Sequence, residues 1–199
     1  MSNIKLPKLR KVDPNRRKKK KILLLSDDLR FFSGIGTQSR EIVKNTLSQY
    51  DWVQLGAGKN HPDKGKIIDL SIPMSEETGI SDANVKIYCS EGYGDPDTLR
   101  QIMATEKPDA ILHFTDPRQW DWLYNMEDEI RAKIPLTYYN IWDNLPYPIW
   151  NKSAYASCDM ILNISRQTQN IVLNVLETKE DWRCRWIPHG IDEKVIRPI

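Results

Sequence analysis

The stretch KILLLSDDLRFFSGIGTQSREIV, residues 21 to 43, decides the fold. Lys21 to Ser26 is a continuous apolar run, the pattern of a strand buried on both faces. Phe31 to Gly36 interrupts it with two glycines. From Thr37 to Leu47, residues Ile42, Val43 and Leu47 mark one face of a helix. Strand, glycine turn and helix in that order form the opening unit of a doubly wound sheet.

The same alternation continues outward. Strands are expected at Trp52–Leu55, Lys66–Leu70, Val85–Tyr88, Asp109–Phe114, Leu136–Ile141, Asp159–Ile164 and Cys184–Ile187. Helices are expected at Asp97–Lys107, stopping before Pro108, and from about Gln119 to Lys133, with Leu123, Met126 and Ile130 on one face. A last helix follows Ser165, a suitable N-cap, with Ile171, Val172, Val175 and Leu176 keeping helical spacing. Asn144 to Trp150 (NLPYPIW) reads as a proline-aromatic loop. The expected fold is α/β: a single doubly wound, mostly parallel, Rossmann-like sheet with helices on both faces.

The 199 residues are 40% hydrophobic and 28% charged, which excludes a disordered chain, a collagen-like chain and a membrane bundle. No apolar stretch approaches the roughly 20 residues of a membrane span. A soluble, cytoplasmic protein is expected. The net charge of +2 is uneven. Residues 1–21 carry ten Lys/Arg against Asp13 alone, +9, so the remainder carries −7. Residues 1–20 therefore read as a basic tail that does not fold alone. A second reading has residues 5–21 attracting an anionic membrane surface; no nucleic-acid motif accompanies them. Cys89, Cys158 and Cys184 are sparse and unpaired in spacing, which points to buried small hydrophobes and neither to a disulfide framework nor to structural zinc; no metal is expected.

In open α/β sheets, ligands bind beyond the carboxyl ends of the strands. Three such ends stand out: Ser33-Gly34-Ile35-Gly36-Thr37, His113-Phe114-Thr115-Asp116 and Trp142-Asp143-Asn144. Glycines before a helix let a ligand approach backbone N–H groups at the positive end of the helix dipole. Ser39 stands where a dinucleotide fingerprint has Gly or Ala, and no acid closes the second strand. There is no G-K-[ST] phosphate loop, no G-x-S-x-G elbow and no H-E-x-x-H.

Taken in order, KILLLSDDLRFFSGIGTQSREIV, KPDAILHFTDP, YYNIWDNLP, SCDMILNIS and WIPHGIDEKVIRP resemble the N-terminal domain of a family-4-like glycosyltransferase of GT-B architecture. The resemblance covers residues 21 to 199. It implies transfer of a sugar, typically a hexose, from a nucleotide-sugar to a glycan or lipid acceptor, the nucleotide-sugar being a co-substrate with no further cofactor. It implies that Gly34, Ile35, Gly36 and Thr37 face the donor diphosphate. His113 falls on the first position of the family's His-x-His-Asp pattern, the catalytic candidate, with Thr115 at its second histidine. Asp116, Trp142, Asp143 and Asn144 would line the acceptor cleft, Trp142 replacing a frequent histidine. Residues 21–187 would be the Rossmann-like domain, and 188–199, with His189, Gly190 and Asp192, the hinge to a C-terminal Rossmann-like domain in the same or another chain. The family's main nucleotide-binding elements belong to that other domain, so the resemblance implies an acceptor-side half with a freely extending hinge.

Two other classes fit the pattern. One is a different Rossmann-like enzyme, a nucleotide-sugar epimerase or NAD-dependent oxidoreductase, disfavoured by Ser39. The other is a non-catalytic module binding a glycan or a protein through Trp120, Trp122, Trp142 and Trp150.

Overall fold

The apolar run after the basic residues becomes the centre of the sheet. In the computed structural model, which describes residues 18–191, β1 (Lys20–Asp27) has Leu23, Leu24 and Leu25 wholly buried. Adjacent side chains on a strand point to opposite faces. Leu23 and Leu25 therefore enter one hydrophobic core and Leu24 the other. The remaining strands are β2 (Tyr50–Ala57), β3 (Ile67–Asp69), β4 (Val85–Cys89), β5 (Ala110–Phe114), β6 (Leu136–Asn140), β7 (Met160–Asn163) and β8 (Cys184–Trp186). Their order is β3-β4-β2-β1-β5-β6-β7-β8, parallel throughout except for the edge strand β3. This is a single Rossmann-like α/β domain.

The helices are α1 (Gly34–Thr46), α2 (Ser71–Thr78), α3 (Pro96–Glu106), α4 (Asp121–Asn125), α5 (Glu127–Arg131), α6 (Lys152–Ala156) and α7 (Arg166–Val175). Side-chain caps start three of them: Ser33 on α1, Asp95 on α3 and Ser165 on α7. Val43 and Leu47 of the α1 segment and Met74 of α2 join the core that holds Leu24. Residues of α3 to α7 build the larger core on the opposite face. No helix among the described residues is long and apolar enough to cross a membrane.

Four local expectations change. The helix expected over 119–133 is three pieces: a 3-10 turn at Pro117–Gln119, then α4 and α5, separated by Met126 at φ −111°. Trp120, Leu123 and Ile130 are all fully buried across the break. Helix α2 buries only Ser71 and Met74, too few positions to show a period in the sequence. The tail ends earlier than residue 20. β1 begins at Lys20, and the Lys19 ammonium donates to Leu47 O at 2.6 Å and to Asp82 at 2.7 Å. Lys20 and Lys21 pair with Asp109 and Glu106. These three lysines are thus committed within the fold, whereas residues 1–17 lie outside the described residues. Finally, residues 187–191 are exposed along their length yet touch the sheet at two points. The Tyr139 hydroxyl donates to Ile187 O at 2.9 Å, and the His189 ring meets Phe114 and Tyr139 edge-on. Asp192 lies outside the described residues.

Candidate functional site at the carboxyl rim

The chain leaves β1 towards β2 on one side, and later strands build outward from β5 on the other. The crevice beyond the carboxyl ends of β1 and β5 is therefore the topological switch point, where such sheets place ligands. α1 begins there. The glycines expected as a loop are its first turn: Gly34, Ile35 and Gly36 are already helical. The Ser33 hydroxyl accepts from the Gly36 N–H at 2.9 Å and donates to Asp27 at 2.8 Å. The Thr37 N–H donates to Ser33 O. Among the described residues the N–H groups of Gly34 and Ile35 have no acceptor, as at the first positions of a helix.

The two glycines do different work. A Cβ on Gly34 would meet nothing within 4 Å. One on Gly36 would stand 2.6 Å from Phe31 O and 2.9 Å from Asp28 O. Gly36 is required by the close approach of the 28–31 turn, while Gly34 leaves open space at the helix end. Ser39 is buried, and its hydroxyl lies 3.0 Å from that of Ser26, which also accepts from the Gln54 amide. A serine tolerates this close helix–strand contact because β1 and β2 supply hydrogen-bond partners.

Beneath the rim lies a cluster of chemistry-bearing groups that sequence reading missed. Asp28, His61 and Cys89 come from three separate segments, and their ligand atoms all lie within 4.8 Å of one another. The Asp28 carboxylate receives the Arg30 guanidinium at 2.7 Å and the His61 Nε2–H at 3.0 Å. Arg30 also donates to Cys89 Sγ at 3.2 Å and to Asp63 at 2.9 Å. Burial alone would push the Asp28 carboxyl up; hydrogen bonds from Arg30 and His61 outweigh it and hold the group below the usual carboxylate range. Burial pushes the Cys89 thiol up to about 11.

This donor set does not suit a cation. The Asp63 N–H donates to His61 Nδ1 at 3.0 Å, so Nε2 carries the hydrogen. A metal on Nε2 would move that hydrogen to Nδ1, against the Asp63 N–H, whereas ligating histidines turn their second nitrogen to an acceptor. Arg30 already supplies the positive charge. The cluster fixes the turn after β1 and thereby the start of α1.

His113 does not reach the crevice. It is wholly buried, stacked on Tyr138 at 5.1 Å and tilted against Trp120 at 5.1 Å, with Nδ1 2.7 Å from the Tyr124 hydroxyl. Burial pushes its pKa down to about 3, so the ring is uncharged. Its ring has no exposed surface, and its geometry is that of a core aromatic. β-strand alternation turned its side chain inward, which strand-end position in the sequence does not reveal.

The other rim residues separate into two groups. Asp116 caps the 3-10 turn and grips Arg118, accepting from its backbone N–H and its guanidinium at 3.0 Å. The Arg118 guanidinium lies 5.2 Å over the Trp142 ring. Trp142 Nε1–H donates to Asn144 O at 2.8 Å, and Trp142 meets Trp150 edge-on at 5.9 Å. Asp143 and Asn144 are exposed beside them. Trp120 is core, Trp122 half-buried, and Trp150 56% exposed. Gly34 to Thr37 gather at the β1 end, and Asp116, Trp142, Asp143 and Asn144 at the β5–β6 end. Gly190 lies elsewhere, beside the carboxyl-terminal half of α1 and the end of α2.

Comparison of the chain with protein-family models and with curated protein sequences gave no match.

Proposed function

We propose that this domain is the acceptor-side half of a nucleotide-sugar-dependent glycosyltransferase of the GT-B kind. The observation that carries this reading is the junction of an open helix start with the switch point. The free N–H groups of Gly34 and Ile35 stand over the crevice between β1 and β5, with room at Gly34 for a ligand. A leaving diphosphate gathers negative charge, and N–H groups fixed in advance stabilise it without reorganisation. Asp27 stands at the same mouth through its bond to Ser33, so this wall alone is a poor anion site. Cations to neutralise the diphosphate belong, in this reading, to a facing domain. Fully exposed Phe32 beside the glycine turn supports such a wall, because a large ring in water gains by being covered. The domain's own part is to position the acceptor and one edge of the donor.

The test is amide-resolved NMR of the whole chain titrated with UDP-glucose, GDP-mannose and NADH. Weak, saturable shifts centred on Gly34 and Ile35 with a nucleotide-sugar are expected, and Gly34→Val should abolish them while leaving the fold intact. Tight NADH binding would replace this reading with an oxidoreductase. Absence of any response at residues 33–37 to either nucleotide-sugar would end it.

A further inference from the structure

Between the turn that follows β5 and the loop that follows β6 lies a cleft of about 520 Å³. Arg118, Asp121, Tyr124, Asn125, Trp150 and Ser153 are among its lining residues. Two of its lining residues, Arg118 and Trp150, are joined through Trp142, which lies behind them outside the lining. Asp116 clamps Arg118, Arg118 covers the Trp142 ring, and Trp142 braces Trp150 edge-on. Trp150, at the end of this chain of contacts, stays 56% exposed. An indole held in place yet left in water forgoes the hydrophobic gain of burial, which a ligand can supply.

The polar groups around it have one character. Arg118 is neutralised by Asp116, and the Asp121 carboxylate of the lining has no ion-pair partner among the described residues. The Asn125 amide and the Ser153 hydroxyl stand in the same cleft without side-chain hydrogen bonds among the described residues. A flat apolar face with a carboxylate, an amide and a hydroxyl around it matches a pyranose ring. Such a ring offers a C–H face to an indole and a belt of hydroxyls to the polar groups. The same charge pattern opposes phosphates and anionic lipid headgroups.

The geometry points to a saccharide-binding subsite in this cleft, with the Trp150 face as the stacking platform and Asp121 as hydroxyl acceptor, for a neutral or amino sugar. Its role as the acceptor subsite rests on the sugar-transfer reading; the binding itself does not.

Saturation-transfer-difference NMR and tryptophan fluorescence on the whole chain, with chitobiose, cellobiose, mannobiose and maltotriose as probes, test it. At least one probe should bind saturably, with a dissociation constant of about 1 mM as befits an open cleft. Trp150→Ala should weaken that binding about ten-fold, Trp150→Phe by no more than about three-fold, and Asp121→Asn about five-fold. Unchanged thermal midpoints identify these as losses of contact. Binding unaffected by Trp150→Ala, or no saturable binding of any probe, overturns the subsite. So does Trp150-dependent sedimentation with phosphatidylcholine–phosphatidylglycerol vesicles in the absence of sugar binding, which would assign the loop with exposed Leu145, Tyr147 and Ile149 to lipid. Saccharide binding without any diphosphate response at Gly34 and Ile35 would keep the subsite and remove the transferase. The reverse result would keep the transferase and remove the subsite.

Discussion

Replacing Gly36 by alanine should destabilise the domain, and replacing Gly34 by alanine should not. At Gly36 the new methyl would stand 2.6 Å from one backbone carbonyl oxygen and 2.9 Å from another, where ordinary contact begins near 3.4 Å. The 28–31 turn must retreat by most of an ångström. That turn is held by the Asp28–Arg30–His61 bonds, so the strain cannot be relaxed by rotating one side chain. Overpacking of this kind costs about 1–3 kcal/mol, and weakening the buried ion pair adds to it. Alanine's better helix propensity returns less than about 1 kcal/mol at a helix end. A net loss of about 2 kcal/mol lowers the thermal midpoint of a domain this size by roughly 4–8 °C. Gly34, with open space and an ordinary backbone angle, should instead gain up to about 1 kcal/mol through the less flexible unfolded chain. Thermal and urea unfolding of the two variants measures both. If Gly36→Ala melts at or above the wild-type temperature, the close approach of the turn to α1 is wrong. A Gly36 variant is for the same reason a poor probe of ligand binding, and Gly34 is the informative position.

Two further outcomes are expected. Glu106 is buried against Lys21, Lys86 and Tyr88; burial raises its carboxyl, but those hydrogen bonds outweigh it and bring the pKa down to about 2 from 4.5. A depressed acid contributes stability that is fully present above about pH 4.5 and is lost as the pH falls towards 2. The shift sets a ceiling of about 3 kcal/mol on that loss, so Glu106→Gln should be less stable than wild type at pH 7 and should show a flatter decline between pH 5 and 2 in urea unfolding. Equal pH slopes in the two proteins would refute the pairing. Zinc added to the purified protein should not bind at micromolar concentration by calorimetry, because Arg30 and the His61 tautomer occupy the Asp28–His61–Cys89 cluster; stoichiometric tight binding would show that the cluster reorganises into a metal centre.

The sequence by itself determined the strands and most of the helices, because apolar runs and helical spacing are local properties of the chain. KILLLS reads as an interior strand, and Ser165 with Ile171, Val172 and Val175 as the start of an amphipathic helix. It also placed the carboxyl ends of the parallel strands on one rim, since right-handed crossovers keep those strands in one direction. Only the tertiary structure decided what stands at that rim. His113 looked like a rim histidine, yet strand alternation turned it under Trp120 and Tyr138. Gly34 and Gly36 look alike in the sequence, yet the path of the 28–31 turn makes one a packing requirement and leaves the other open. Asp28, His61 and Cys89 are 33 and 28 residues apart along the chain, so nothing in their spacing announces the cluster. Lys19 and Lys20, which read as tail, became ion pairs because Asp82 and Asp109 arrive from loops beside the start of β1. Side-chain direction, close backbone approach and long-range charge pairing depend on which segments meet in space, and local periodicity carries no record of that.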